Sequence, residues 1–301
     1  TGSGESGTWV SGDTDILTIS SSGVVTGILG GTTTVTYTDG NNCSVSVNFT
    51  VNTLPTVNAG ADQAICSGES VSLSATVDAG TSFSWNNSVS NNVAFSPSST
   101  NTYTVVGVDG NGCIATDEVQ VTVLPLPTIS GGSTVCVGTT VTLTGSGTPS
   151  TSTPWESSVP GVATVSSNGV VNGVSSGTTT IKYTDVNGCE QTHDVTVNGL
   201  PAVNAGTDFS TCEGSQISLS GGGANSYSWD NGVTNGSLFT ATSTTTYTVT
   251  GTNSNSCVNT DQITVTVNPS PTISGATTVC EGETISLSVD LSSGTWDSDD
   301  D

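Results

Sequence analysis

The residues of this chain whose types and spacing could do chemistry are its eight cysteines. They fall in four pairs, Cys43/Cys66, Cys113/Cys136, Cys189/Cys212 and Cys257/Cys280, each 23 positions apart. With no CxxC among them, the chemistry indicated is disulfide formation in an oxidising compartment rather than zinc binding. Acidic and amide side chains gather just before three of these cysteines, in TDGNN (38–42), VDGNG (108–112) and TDVNG (184–188). Calcium is held by such oxygens. Tight turns draw on the same residues for positive φ and local hydrogen bonds. Asp109 and Asp185 in the turns, with Asp62 and Asp208 in two NAGxD segments, are the metal candidates, and no EF-hand pattern accompanies them. Apart from calcium, no cofactor is expected.

Composition narrows the function further. The chain has one lysine, no arginine, one histidine and a formal charge of −24. Hydrolase triads and phosphate chemistry need residues that are scarce here, so an enzyme is not expected. Nucleic acid and anionic membrane surfaces are excluded as partners because their recognition needs clustered cations. Lys182 could form an isopeptide crosslink, but its repeat equivalent is Thr36; His193 corresponds to Val47 and reads as a strand residue. Asp117 and Glu118 are neighbours in a strand and point to opposite faces, which argues against a glycosidase pair. Asn42, Asn48, Asn86 and Asn235 open N-x-S/T sequons that matter only in a glycosylating host. No signal peptide, membrane-spanning run or amphipathic helix is seen, so direct membrane insertion is not expected and a secretion signal is placed outside this sequence.

The elements that position the cysteines repeat with them. From Asp109 to Gly138 the chain reads as a turn with a cysteine, a period-2 strand, a proline joint and a second strand ending in another cysteine. Close copies stand at Asp39–Gly68, Asp185–Gly214 and, more loosely, Asn253–Gly282. Abundant Ser, Thr, Gly, Val and Asn, no methionine and few aromatics fit an all-β chain. The repeats predict a tandem array of small immunoglobulin-like β-sandwiches, segmented as 1–53, 54–125, 126–200, 201–270 and 271–301. Segments 1–53, 126–200 and 271–301 are of one type, the first and last being parts of it; 54–125 and 201–270 are of a second. Trp9, Trp85, Trp155, Trp229 and Trp296 occur once per segment at the same place and are expected in the core.

The first type, WxSSxPxVATVSSxGVVxGVxxGTTTIxYT (155–184), resembles the bacterial group 2 immunoglobulin-like domains. The second, VNAGxDxxxCxGxxxxLSA with a later SW and TYTVxGxDxNGC, is similar to PKD-like and related immunoglobulin-like modules. Their alternation resembles the giant repetitive surface proteins of Bacteroidota, including filamentous adhesins of gliding motility exported by the type IX pathway. That resemblance implies an extracellular, cell-surface protein acting in cell adhesion.

Strand geometry bears on which cysteines pair. Cys136 follows about nine residues of strand after Pro127, roughly 25–30 Å down its module at the usual rise. Cys189 follows the turn at the opposite end. Disulfides tolerate Cα separations of only about 4.4–6.8 Å, which favours pairs across joints, Cys66–Cys189 and Cys136–Cys257. The within-module set, Cys66–Cys113, Cys136–Cys189 and Cys212–Cys257, stands as the alternative. The expected function is structural: a section of a long extracellular filament or stalk, whose partners are neighbouring repeats and, beyond them, a cell-surface anchor and an external surface or glycan. The alternatives are ligand-binding or glycan-binding adhesin modules, or the stalk of an enzyme domain outside this chain. The tail SSGTWDSDDD resembles residues 5–14, ESGTWVSGDT. This reads either as a window cut from a longer array or as ends that complement each other head to tail.

Overall fold

The structure, a computed structural model, describes residues 7–290 and 294–297. It is built of β-strands, with two compact units: Thr1–Pro127 with Val186–Glu190, and Thr128–Asp185 with Gln191–Asp301. Alternating apolar and polar residues make the strands, and Gly- or Asn-bearing turns end them.

The first unit opens with β1 (Thr8–Ser11), β2 (Leu17–Ile19), β3 (Val25–Gly27), β4 (Gly31–Thr38) and β5 (Ser44–Val51). They form a three-stranded sheet, β1-β4-β5, and a β2-β3 pair. The second-type module follows with β6 (Val57–Asn58), β7 (Gln63–Cys66), β8 (Val71–Ser72), β9 (Thr76–Val77), β10 (Ser82–Trp85), β11 (Ala94–Phe95), β12 (Asn101–Val108) and β13 (Ile114–Leu124). Its main sheet runs β10-β12-β13-β7, with β7 parallel to the end of β13. Trp85, Leu73, Tyr103, Val105, Val119 and Val121 fill its core. Tyr103 meets Phe95 edge-on, with centroids 5.1 Å apart.

The second unit contains a two-sheet sandwich of the first type: β14 (Ile129–Gly131), β15 (Thr134–Cys136), β16 (Thr140–Gly145), β17 (Trp155–Ser157), β18 (Ala163–Val165), β19 (Val170–Gly173), β20 (Gly177–Thr184) and β21 (Glu190–Asn198). Sheets β14-β16-β19-β18 and β15-β21-β20-β17 enclose Val135, Leu143, Val171, Ile181, Val195 and Val197. The next module holds β22 (Phe209–Cys212), β23 (Gln216–Ser218), β24 (Ser226–Trp229), β25 (Leu238–Thr240), β26 (Thr245–Thr252) and β27 (Val258–Asn268). It repeats the second-type sheet as β22-β27-β26-β24, over a core centred on Trp229. A hairpin of β28 (Ile273–Ser274) and β29 (Ser288–Val289) completes the described strands.

The tryptophans differ in burial. Trp85 and Trp229 are buried and Trp155 half-buried against its core, whereas Trp9 is 37% and Trp296 59% exposed. The expectation of five core tryptophans is corrected at those two positions. Trp9 still stacks on Tyr37 as Trp155 does on Tyr183, centroids 4.7 Å apart in both. Among the described residues, no strand equivalent to β14–β16 pairs with β1–β5.

Candidate functional site

Three of the four cysteine-bearing turns share one design. In each of these, the backbone N–H of the first residue donates to the cysteine carbonyl: Asp39 to Cys43, Asp109 to Cys113 and Asn253 to Cys257, at 3.0, 3.1 and 3.0 Å. The side chain of that first residue then accepts two backbone N–H groups. Asp109 Oδ1 takes Asn111 and Cys113, Asp39 Oδ1 takes Asn41 and Cys43, and Asn253 Oδ1 takes Asn255 and Cys257, all at 2.8–3.0 Å. The residue before the cysteine has φ of +64° at Asn42, +79° at Gly112, +84° at Gly188 and +62° at Ser256. Only Gly and a few small polar residues adopt that left-handed conformation readily, which is why the turn draws on them. The result is a cysteine held at the tip of a long hairpin.

The other cysteine of each seam lies at the opposite end of its module. Cys66 pairs in register with Leu124, Cys136 with Asn198 and Cys212 with Asn268, the last residues of β13, β21 and β27. Cys113 precedes β13, an 11-residue strand about 35 Å long, so Cys66 and Cys113 cannot meet. The same holds for Cys136 with Cys189 and for Cys212 with Cys257. The disulfides are Cys66–Cys189 and Cys136–Cys257, each with Cα atoms 5.6 Å apart. The within-module set is not formed. Cys66, Cys189 and Cys257 are buried at 8%, 0% and 1% exposure. Cys43, Cys113, Cys212 and Cys280 are free thiols.

Around Cys136–Cys257, the two modules of the second unit touch through an amide: Asn253 Nδ2 donates to Gly199 O at 3.0 Å. Within the later module, Asn259 Nδ2 donates to Pro201 O at 3.1 Å beside the joint. An open cleft of about 260 Å³ flanks the bridge, lined by Thr134, Cys136, Thr139, Asn198, Asn255 and Ser256.

The calcium candidates are not brought together. Asp62 Oδ1 accepts the Gln120 N–H and Asp208 Oδ1 the Thr264 N–H, both at 2.8 Å, tying the NAGxD segments to the last strand of their modules. Asp109 is engaged with its own turn, and the Cys113 N–H foremost holds its carboxyl below the ordinary value. Asp185 is buried beside Tyr183, whose phenol is pushed up by burial and then by that carboxylate. Among the described residues no group of three or more His, Cys, Asp or Glu is placed to hold a metal. Lys182 forms an ion pair with Glu156 at 3.2 Å, and His193 lies on β21. Asn235 is exposed, and its Oδ1 accepts Trp229 Nε1–H at 2.9 Å and the Gly221 N–H at 2.8 Å.

Sequence reasoning missed two clamps. Asp117 Oδ2 accepts the Ala59 N–H and Asp261 Oδ2 the Ala205 N–H, both at 2.8 Å, pinning the NAG crossovers. Those N–H groups are the main cause holding both carboxyls below their ordinary value. The available signal was recurrence: Asp117 and Asp261 stand at equivalent places of the two second-type modules. Glu118 points the other way, accepting from Thr104 Oγ1 at 3.1 Å.

Residues 128–197 match the family of bacterial immunoglobulin-like domains, group 2. The chain is thus a tandem repeat of small immunoglobulin-like β-sandwich units, one of them of this group. No curated protein matches the chain. Among solved structures, the N-terminal eight Ig domains of Down Syndrome Cell Adhesion Molecule align at 15% identity over 86% of this chain and 43% of that one, TM-score 0.37. Domains 1–6 of the surface layer protein SbsC align at 15% over 91% and 56%, TM-score 0.25. Mouse cadherin-23 EC22–24 aligns at 14% over 72% and 99%, TM-score 0.24. The chain spans less than half the length of the first of these, and likenesses this distant carry no argument about function.

Proposed function

We propose that this chain is a load-bearing section of a long extracellular filament or adhesin stalk, in which consecutive modules are stapled by disulfides. The observation that carries the reading is the pairing rule: the cysteine ending an early strand of one module bonds the turn cysteine of the following one, in Cys66–Cys189 and again in Cys136–Cys257. A bridge spanning more than 120 residues of sequence does little for one small core and much for a joint. It limits bending and keeps the modules connected if one unfolds. The proposed module boundaries are 53/54, 125/126, 200/201 and 270/271, each beside a proline. The acidic surface, with a charge of −24, supports reach by keeping repeats apart. The alternation of cysteine-bearing modules supports a place among repetitive surface proteins of Bacteroidota, including gliding-motility adhesins.

Single-molecule pulling of the chain tests this directly. Under oxidising conditions, the contour released by module unfolding should be shortened by the segments locked within each bridge, and reductant should restore the full length. Identical extension with and without reductant overturns the reading.

A further inference from the structure

We infer that the two bridges give this chain a further function, resistance to severing by extracellular endopeptidases. Covalent continuity from Cys66 to Cys257 survives backbone hydrolysis in any two of the three segments between the bonded cysteines. This property rests on the stapled joint proposed above. It comes from the order of the cysteines along the chain, 66, 136, 189 and 257, with the first bonded to the third and the second to the fourth. The two loops so closed overlap over residues 136–189, and neither is nested in the other.

Three covalent routes therefore join Cys66 to Cys257. One follows the backbone through 67–135 and crosses at Cys136–Cys257. Another crosses at Cys66–Cys189 and follows the backbone through 190–256. The last takes both bridges and runs backwards through 137–188. Each route uses one backbone segment, and no segment serves two routes. An endopeptidase must open all three segments before the bonded path is lost. The within-module pairs have no such redundancy: with Cys66–Cys113 and Cys136–Cys189, a single cut in 114–135 parts the chain.

Burial and exposure are divided to match. Cys66, Cys189 and Cys257 are buried, which hinders attack on the bridges by an outside thiolate. Each backbone segment, by contrast, carries an exposed turn, at 86–88, 151–153 and 231–232. Exposed turns of small polar residues are where endopeptidases gain access. Each cut consumes one water, leaves a new carboxylate and a new amine, and touches no sulfur, so both bridges outlast it. Trypsin-like enzymes have a single site in this chain, Lys182, and it lies in 137–188, a segment bonded to its neighbours at both ends.

Recognition sequences for a site-specific endopeptidase, inserted after Asn87, Ser152 and Asn231 singly, in pairs and all together, test this on the full chain. Each protein is cut while folded, its thiols are blocked, and it is then denatured without reductant. Single and paired variants should run as one species with the mass of the uncut chain plus one water per cut, and should fall into fragments on reduction. The triple variant should part without reductant into two species, 1–87 bonded to 153–231 and 88–152 bonded to 232–301. Separation of any single or paired variant before reduction overturns the inference, as does a triple variant that stays whole. Non-reduced peptide maps of the uncut proteins show whether an insert has disturbed the pairing, and they keep the two readings apart. Both bridges in the map, but separation after one cut at 87 or 231, means that the bridges occupy different molecules, which sinks cleavage tolerance and leaves the stapled joint standing. Absence of the bridges from the unaltered chain sinks the stapled joint as well.

Discussion

Asp117 and Asp261 show how single carboxylates shape these modules. Each is held below its ordinary value chiefly by the N–H of an alanine in the NAG crossover. A depressed folded value means that the folded state binds fewer protons than the unfolded one in this range. The stabilisation is therefore complete above about pH 4 and lost as pH falls through the folded values. Melting temperature should fall on acidification below about pH 4, and Asp117→Asn with Asp261→Asn should flatten that fall. Asn235 makes a second residue-scale case. Asn235→Ala leaves the Trp229 indole N–H and the Gly221 N–H without their acceptor. The buried indole so orphaned costs about 1–3 kcal/mol, visible in denaturant unfolding of that module. At Asp62, Asp109 and Asp208 the carboxylates already accept backbone N–H groups. Calcium addition or chelation should therefore leave the melting temperature unchanged, as differential scanning calorimetry can check.

At the scale of elements, the same strand pairs are stable to different degrees according to what covers them. Leu143 is 1% exposed between two sheets, so Leu143→Ala should cost about 2–5 kcal/mol in chemical unfolding of its sandwich. Leu287, its equivalent at 45% exposure, should lose far less from the same change in the isolated chain. The seam from Asp109 to Gly138 also reads differently in three dimensions. Its alternation suggests one rail, but β14 and β15 belong to different sheets. The switch follows Gly131, whose φ of +139° turns the chain where a Cβ would strike the Thr142 carbonyl at 2.6 Å. Period-2 patterning marks a strand without saying which sheet receives it, because both sheets bury one face.

For the whole chain, the charge of −24 makes copies repel one another, so light scattering should show stronger repulsion between copies at about 0.01 M salt, where the Debye length is some 30 Å, than at about 0.15 M. Reduction acts on the bonds between modules instead. Double replacement of Cys66 and Cys189 by serine should lower the stability of the linked modules by about 2–5 kcal/mol, by the loop-closure argument, and should expose Pro125–Thr128 to proteolysis sooner.

Much of this was written in the sequence. The 23-residue cysteine spacing, the 146-residue interval from Cys43 to Cys189 and the alternating strands establish an all-β tandem array, since repeats and binary patterns survive without knowledge of neighbours. The turn residues, too, are local: a left-handed position before each turn cysteine selects Gly, Asn or Ser. What only the tertiary structure decided is everything that needs a partner distant in sequence. Asp117 reaches Ala59 across 58 positions, and Cys66 reaches Cys189 across 123.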